Sequence, residues 1–386
     1  MPLSISNFKR RLRLPRMFFR KPTREEQIHG GPPLEFERPI PPAPWSGISV
    51  VVLVIVTAAA LFWELFARSL GYAPTLNDND DLWALRRRAV EPESIVIIGD
   101  SRGWFDVDLD EFQKGLGKRP IQLAAPGSAA FPVLDDLAKD ETFHGAIICS
   151  FVPMLFFAPP GSPPMERAEK NVKRFHSQTL SQRAGQYLGM WLEEHFAFLK
   201  PDDLSLEGLL NKLPIPNRPG ARVPPTLPPY FQTEDRERRA RMWEKCAEPG
   251  SELAKRIQQI WIPLFTPPPP PTYISRDVFM AEMKEEIEKR FAATKAAIEK
   301  IRARGGKVVF VRFPYSGGLK ELEDKIMPRR QSWDALLQMT RAPGIYCADF
   351  PELSGFHCPE WSHLSAGDSV EFSRRLVPHL RQALGM

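Results

Sequence analysis

The sequence is poor in cysteine. Only four of its 386 residues are cysteines, and no two of them form a C-x-x-C pair. This scarcity argues against a structural zinc site and against a dense disulfide framework. Cys347 and Cys358 lie closest along the chain. The spacing leaves open both a disulfide between them and four buried free thiols.

The sequence also lacks an extended basic groove of the kind that binds nucleic acid. The formal net charge is +5, but the excess lies largely within the first 24 residues, ahead of the longest apolar run. A basic cluster beside an apolar run is typical of membrane topology rather than of a nucleic-acid surface. We therefore predict no nucleic-acid partner.

Proline, by contrast, is abundant. Forty prolines concentrate before residue 45 and between residues 153 and 271, and each interrupts helix or sheet locally. The hydrophobic fraction of 43% and the charged fraction of 26% are nevertheless those of a folded protein. We expect one large folded domain, with irregular structure in the two proline-rich regions.

One run of the sequence is long and apolar enough to cross a bilayer. Between residues 45 and 67 the only charged side chain is that of Glu64, near the far end. Such a stretch of about 22 residues forms about 33 Å of helix. A cleaved signal peptide and a buried core helix are the alternatives. Because 44 residues precede the run and it is apolar on all sides, we predict a transmembrane helix over residues 45–67.

The basic residues before this run predict its orientation. Eight lysines and arginines lie between residues 9 and 24, and the positive-inside rule places such a cluster in the cytoplasm. We expect residues 1–44 to form a cytoplasmic, basic, proline-rich tail. Residues 68–386 are then periplasmic or extracellular, and the protein is a single-pass protein of the inner (cytoplasmic) membrane.

Beyond the apolar run, short apolar segments alternate with segments of helical periodicity. This alternation predicts an α/β fold, a three-layer α/β/α sandwich with a parallel, flavodoxin-like sheet. The expected strands cover residues 95–98, 121–124, 146–151, 307–313 and 345–347. The expected helices cover residues 108–116, 131–139 and 277–304, with a shorter helix capped by Asn79, Asp80 or Asp81.

The third predicted strand is separated from the fourth by too many residues for a simple crossover. We interpret residues 154–275 as a helical, proline-rich insertion. Its predicted parts are helices over residues 166–199 and 233–264, a loop over residues 214–229 and an extended polyproline run, Pro267–Pro271. Its large apolar side chains are expected in the core, with contact to a membrane surface as the alternative; they are Met190, Trp191, Phe196, Phe198, Trp243 and Trp261.

Polar residues follow the predicted strands. Because the carboxyl ends of parallel strands line the ligand crevice, the residues at these ends are candidates for chemistry. Ser101 follows the first strand, and Gly127 and Ser128 follow the second. Glu360 and His363 come after the last. A serine hydroxyl becomes a nucleophile when a histidine accepts its proton, and an acid three residues from that histidine can hold the ring.

These motifs resemble those of a known family. The segment GDSR (Gly99–Arg102) after the first strand, the glycine after the second and the acid three residues before a C-terminal histidine are similar to blocks I, II and V of the SGNH (GDSL-like) hydrolases. The resemblance covers the sheet domain only. It implies that Ser101 is the nucleophile, His363 the general base and Glu360 the residue that orients the imidazole.

The oxyanion of such a reaction would be held by the backbone N–H groups of Ser101 and Gly127. Two features depart from the family pattern. Glu360 stands where the family usually has aspartate, and the third strand lacks a following G-x-N-D block, whose asparagine completes the oxyanion hole. Ser128 and Ser150 are candidates to replace that donor. The alternative is an oxyanion hole with only two donors, as in some relatives that transfer acyl groups to glycans.

Arg102, beside the serine, has two interpretations. It either binds an anionic group of the substrate or caps nearby carbonyl groups. No metal ion and no organic cofactor is implied by any of these residues.

The motifs and the anchored layout together predict a function. We expect a membrane-anchored serine esterase or O-acyltransferase that acts on an acyl ester, such as an acetyl ester, of a cell-envelope glycan. Membrane-anchored members of the family suggest a multi-span membrane acyltransferase as partner. A non-catalytic protein of the same fold, binding such an acyltransferase or a polysaccharide, is the alternative, and an enzyme acting on lipids is a third.

Overall fold

The computed structural model describes most of the chain after the N-terminal tail. The described residues are 43–199, 227–233, 235–267 and 272–386. They belong to two units, one ending at Ala60 and the other running from Leu61 to Met386. Nearly all of the predicted cytoplasmic tail, most of the loop predicted over residues 214–229 and the polyproline run after Pro267 lie outside the described residues.

A single helix contains the apolar run. This helix, α1 (Trp45–Ser69), has 25 residues and therefore a length of about 37 Å. It is long and apolar enough to cross a membrane. Ala67 is its only buried residue. The predicted span therefore lies within one uninterrupted helix.

Five parallel strands form the central sheet of the second unit, in the spatial order β2-β1-β3-β4-β5. The strands are β1 (Ile95–Ile98), β2 (Ile121–Gln122), β3 (Ala146–Ser150), β4 (Lys307–Arg312) and β5 (Gly344–Tyr346). All five predicted strands are present, and the predicted parallel sheet is confirmed. β1 and β3 are buried along their whole length, as expected for uninterrupted apolar strands covered on both faces.

Helices connect and cover these strands. In chain order they are α2 (Asp80–Arg88), α3 (Ser101–Phe105), α4 (Leu109–Leu116), α5 (Phe131–Lys139), α6 (Pro153–Phe156), α7 (Pro163–Ser177), α8 (Leu180–Glu193), α9 (Glu244–Ala247), α10 (Glu252–Phe265), α11 (Arg276–Ala303), α12 (Gly317–Ile326), α13 (Trp333–Thr340), α14 (Pro351–Ser354) and α15 (Ala366–Leu384). The described residues also contain two short 3₁₀ turns, Ala197–Leu199 and Cys347–Asp349.

Local sequence explains where α2 begins. Asn79 is the N-cap of α2, and its side chain accepts a hydrogen bond from the N–H of Leu82 at 2.8 Å, which identifies one of the three predicted cap residues. The helix predicted over residues 277–304 is confirmed as α11. Both α11 and α15 pack against β4, near the middle of the sheet.

The insertion differs from its prediction in one segment. The sequence predicts a helix over residues 233–264, and this is wrong for the first part. Phe231–Thr233 pairs antiparallel with Ala240–Met242 to form the insertion hairpin, and helix resumes at α9 and α10. Arg238, in the turn, has a φ of +63°, and its carbonyl accepts the indole N–H of Trp104 at 2.8 Å. This tertiary contact outweighs the local helical pattern.

All four thiols are free. Cys149, Cys246, Cys347 and Cys358 are each buried, and no disulfide joins the last two. Burial raises the pKa of Cys246 and of Cys347 to about 12. Of the two states that the spacing leaves open, the structure has the four buried thiols, which behave as small apolar side chains of the core.

Candidate functional site

The strand order creates a switch point beside β1. The strand has β2 on one side and β3 on the other, so the connections that leave β1 and β2 run in opposite directions across the sheet. A crevice forms outside the carboxyl ends of the strands at such a point. Ser101 is the first residue of α3, directly after β1, and Ser150 ends β3. Both candidates therefore lie at this crevice.

Two glycines allow the turn before α3 to pack tightly against β3. Gly99 has a φ of +122°, and an added Cβ there would lie 2.8 Å from the Cβ of Ser150. An added Cβ at Gly103 would lie 2.6 Å from the same atom. Only glycine fits at either position without movement of β3. The turn that presents Ser101 is thus fixed by the backbone.

Asp100 ties this turn to the end of β3. Its Oδ1 atom accepts hydrogen bonds from the N–H of Arg102 and from the hydroxyl of Ser150, both at 2.9 Å. The first bond caps α3. Because the Ser150 hydroxyl donates to Asp100, it is not directed at a substrate oxygen as an oxyanion donor would be. The structure places Ser150 beneath the turn, in a supporting position.

Glu360 and His363 form a buried pair. The Nδ1 atom of His363 lies 2.9 Å from Oε1 of Glu360, and both side chains are fully buried. The same Oε1 atom accepts the backbone N–H groups of His363 at 2.5 Å and Ser362 at 3.2 Å, while Oε2 accepts the indole N–H of Trp261 at 2.6 Å. Four donors therefore surround one carboxylate, which fixes the carboxylate and the ring.

A strained residue makes this arrangement possible. Trp361, between the acid and the histidine, has a φ of +80°, a conformation that costs a bulky residue on the order of 1–3 kcal/mol. Neighbouring segments hold it. Its carbonyl accepts the N–H of Ser316 at 2.9 Å, and its N–H donates to the carbonyl of Cys358 at 3.0 Å. The strain is concentrated in the turn that aligns the pair.

Aromatic rings cover the imidazole of His363. The ring of Phe105 stacks on it with a centroid distance of 4.5 Å. Trp261 and Tyr230 lie at 6.0 and 6.2 Å. We call these three rings the aromatic roof. Beneath it the Nε2 atom of His363 is buried and has no hydrogen-bond partner within the described residues. The nitrogen that would act as a base is present but enclosed.

Helix α3 connects Ser101 to this histidine. Phe105 lies four residues after Ser101 in the same helix, so the two side chains lie on one face, separated by about one helical turn of 5.4 Å. The ring of Phe105 contacts His363. The segment that carries His363 therefore contacts the helix that begins with Ser101. No hydrogen bond joins Ser101 to His363 among the residues that the structure describes.

The loop after β2 meets the same turn. The N–H of Ala125 donates to the carbonyl of Gly99 at 3.1 Å. Gly127 has a φ of +58°, and its carbonyl accepts a hydrogen bond from the Arg167 guanidinium at 3.2 Å. Ser128 is buried, and its N–H donates to the carbonyl of Ala125. The structure thus brings the loop with Gly127 beside the turn with Ser101, and it places Ser128 inside that loop.

Arg102 has neither of the roles that the sequence suggests. Its guanidinium is buried and forms a two-pronged pair with Glu323, with Nη2–Oε2 at 3.0 Å and Nη1–Oε1 at 3.4 Å. Glu323 also pairs with the buried Arg312 at 3.1 Å. The side chain of Arg102 is therefore neither open to a substrate anion nor a carbonyl cap. It joins α3 to α12.

Sequence reasoning missed Asp106 at this site. The residue follows α3 directly, is fully buried, and accepts the N–H of Leu364 through Oδ1 at 2.8 Å. Its Oδ2 atom has no hydrogen-bond partner in the described part of the chain. Burial raises the pKa of this carboxyl well above its ordinary value. Asp106 thereby holds the segment after His363 with a carboxyl group that tends to stay protonated.

Asp106 should make the stability of the protein depend on pH. Above the ordinary carboxyl pKa of about 4, the unfolded chain loses a proton that the folded protein retains, so stability falls as pH rises toward the higher folded pKa. Asp106→Asn cannot ionise and can still accept from Leu364. We expect its melting temperature, relative to the wild type, to increase between pH 4 and pH 8 in thermal denaturation.

Glu282→Gln is the control for that experiment, because it removes a carboxylate from an exposed position in α11 beyond the first turn of the helix, where a carboxylate would interact with the helix dipole. Its melting temperature should follow the wild type at each pH. A difference between Asp106→Asn and the wild type that stays constant from pH 4 to pH 8 would contradict the assignment.

We also compared the chain with known proteins and searched the described residues for groups that could bind a metal ion. Within the described residues, no group of three or more His, Cys, Asp or Glu side chains could hold a metal ion. No model of a protein family matches the chain, and no curated protein matches it.

Proposed function

We propose that this protein is a membrane-anchored serine esterase or O-acyltransferase of the SGNH hydrolase type. In this proposal Ser101 is the nucleophile, His363 is the general base and Glu360 orients the imidazole. One observation carries it: a fully buried Glu360–His363 pair contacts the helix that begins with Ser101. A surface or capping histidine would not have its ring nitrogen held by a carboxylate with four donors.

The geometry supports a defined sequence of proton transfers. With Nδ1–H donating to Glu360, Nε2 is the basic nitrogen. It would accept the hydroxyl proton of Ser101 as the oxygen attacks the acyl carbonyl. The N–H groups of Ser101 and Gly127 would hold the oxyanion. The imidazolium then protonates the leaving alcohol, which leaves an acyl-serine. Water or a glycan hydroxyl attacks this ester and gives its proton to Nε2. The same nitrogen passes that proton to the Oγ atom of Ser101 as the serine leaves.

In this proposal the conformation described above is a closed form of the site. Because no hydrogen bond joins Ser101 to Nε2 among the described residues, the proposal requires a small rearrangement of α3 or of the aromatic roof when substrate binds. Catalytic hydrogen bonds are often long before substrate arrives. Tyr230 and Trp261 belong to the insertion, so the insertion would control access to the imidazole.

The proposal includes an assignment of the fold beyond the parallel sheet itself. We assign the second unit to a three-layer α/β/α sandwich of flavodoxin-like type, the arrangement of SGNH hydrolases. The strand order β2-β1-β3-β4-β5 supports it, since this is the order of doubly wound flavodoxin-like sheets. The packing of α11 and α15 against β4 also supports it.

The location follows from α1 and the basic tail. We propose that α1 spans the inner membrane with the N-terminus in the cytoplasm, so that the residues from 68 onward face the periplasm or the outside. A site anchored there suits an acyl ester of a cell-envelope glycan as substrate. A multi-span membrane acyltransferase would be its partner. The length and apolar composition of α1 support the span.

Covalent labelling tests the enzymatic role. Full-length protein, purified in detergent, is treated with a fluorophosphonate probe and digested, and the labelled peptide is identified by mass spectrometry. The same preparation is assayed with short-chain and long-chain aryl esters.

We expect label on Ser101, turnover of the short-chain ester, and loss of both in Ser101→Ala but not in Ser177→Ala, which changes an exposed serine at the end of α7. Failure of the wild type to take up label or turn over ester, or unchanged turnover by Ser101→Ala, would refute the proposal. Faster turnover of long chains would instead favour lipids as substrates.

A non-catalytic role is the second candidate. In that case the protein would bind a membrane acyltransferase or a polysaccharide through the same fold. Three observations favour it: the enclosure of Nε2, the engagement of the Ser150 hydroxyl by Asp100, and the lack of an asparagine after β3. An inert wild type that co-purifies with a multi-span protein would support this alternative.

A further inference from the structure

An exposed apolar stripe runs along α8. Five side chains at positions i, i+4, i+7, i+8 and i+11 form it, and they occupy one side of the helix. They are Leu180, Ala184, Tyr187, Leu188 and Trp191. The exposed fractions of Leu180, Leu188 and Trp191 are 79%, 61% and 51%. We call this set the α8 stripe. The sequence-based prediction that Trp191 lies in the core is wrong.

A different side of α8 packs into the protein. Gln186 and Met190 are the buried residues of the helix, and Met190 clusters with the buried Leu76 and Leu82. On a helical projection with 100° per residue these two positions lie well away from the stripe. No charged residue of α8 lies within the stripe. One side of α8 thus packs into the protein, and the apolar stripe on another side is exposed within the described part of the chain.

The C-terminal end of α8 leads to the end of α1. The carboxylate of Glu64 accepts the backbone N–H groups of residues 197–198, each at 3.2 Å. The guanidinium of Arg68 donates to the carbonyl of His195 at 3.3 Å. The ring of His195 contacts that of Trp191, with centroids 4.9 Å apart. The stripe therefore ends about one helical turn from these contacts.

This end of α1 is itself apolar and exposed beside its charged residues. Leu65 and Phe66 are both exposed, next to Glu64. In a membrane-spanning helix, this change from apolar to charged side chains marks the interface between acyl chains and headgroups. The Trp191 end of the α8 stripe thus lies near the charged end of α1, where its lipid-facing surface would stop.

We propose that α8 lies on the surface of the membrane that α1 enters, with the α8 stripe buried at the boundary between headgroups and acyl chains. The inference rests on the proposed span of α1. The continuity with α1 identifies lipid as the occupant. The aromatic residues of the stripe, Tyr187 and Trp191, are the types that concentrate at this depth. An amphipathic helix of this kind lies in the plane of the interface and would fix the tilt of the domain.

Lipid-borne quenchers test this contact in the intact protein. The native thiols are all buried, so a cysteine introduced at the surface can be labelled selectively with an environment-sensitive fluorophore. Ala184→Cys carries the label in the stripe. Gly185→Cys is the matched control, since it is exposed, off the stripe, and has nothing within 4 Å of an added Cβ. Full-length protein is reconstituted in phosphatidylethanolamine–phosphatidylglycerol vesicles, with nitroxide placed near the headgroups.

We expect the nitroxide to quench the label at position 184 several-fold more than the label at position 185. Equal quenching at the two positions would overturn the proposal. A label at position 184 shielded from aqueous iodide, but not quenched by lipid, would also overturn it, because residues 200–226 or a second copy of the chain would then cover the stripe. A label at Leu53→Cys, within α1, should be quenched by a deeper nitroxide. Quenching there without quenching at position 184 rejects the surface contact alone.

Discussion

Glu360→Gln is expected to lower kcat for ester hydrolysis on the order of 10⁴-fold. The carboxylate uses both oxygens: Oε1 accepts the ring N–H of His363, and Oε2 accepts the indole N–H of Trp261. A glutamine has only one acceptor oxygen. Its NH₂ group would therefore point at one of these two N–H groups, and two donors cannot form a hydrogen bond with each other. The ring then loses its orientation, or the link to the insertion breaks.

The control for this substitution is Glu352→Gln. Glu352 also pairs with a histidine, His379, at 2.8 Å, but the pair is on the surface. The Glu352→Gln substitution therefore removes the same charge and replaces a carboxylate by the same amide group, but at a position away from the site. Steady-state kcat and KM, with thermal melting of each variant, separate the effect on activity from an effect on folding. A Glu360→Gln enzyme that melts normally and retains kcat within a few-fold of the wild type would remove Glu360 from the mechanism.

Glu323→Gln is expected to destabilise the folded protein by about 3–5 kcal/mol. The carboxylate is fully buried between the guanidinium groups of Arg102 and Arg312. Arg312 retains Asp324 at 3.1 Å, whereas Arg102 would be left without its carboxylate partner. A buried charge that loses its partner cannot be rehydrated. Because Arg102 is the second residue of α3, the loss should also loosen the helix that begins with Ser101.

Chemical denaturation measures this effect, and Glu321→Gln is the control. Glu321 belongs to the same helix, α12, but is exposed, and its replacement should change the free energy of unfolding by no more than about 0.5 kcal/mol. If the two variants unfolded at the same denaturant concentration, the Arg102–Glu323–Arg312 cluster would not be the strong internal link that its burial indicates.

The sheet could be predicted from sequence because its signal is local. The four apolar residues Ile95–Ile98 form a strand wherever a parallel sheet buries both faces, and the flanking Gly99 ends it. The insertion hairpin could not be predicted. Phe231–Thr233 and Ala240–Met242 pair as strands because a turn at Arg238 docks on Trp104, which is more than a hundred positions away in the chain.

The same distinction applies to the site. The spacing of Glu360 and His363 is enough to predict that an acid meets an imidazole, and the position of Ser101 after β1 is enough to place it at the sheet edge. The supporting contacts are not local. Whether Ser150 faces a substrate or Asp100 depends on how closely Gly103 approaches β3, and no pattern within the segment carries that information.

The aromatic roof has a consequence for the choice of acyl acceptor. A ring stacked on the imidazole, with two more nearby, keeps bulk water away from Nε2. In a serine enzyme built this way, solvent reaches the acyl intermediate only after the rings separate. An acceptor that binds between them arrives with its own hydroxyl already oriented. Enclosure of the base therefore biases the proposed chemistry toward passing the acyl group to a bound alcohol rather than losing it to water.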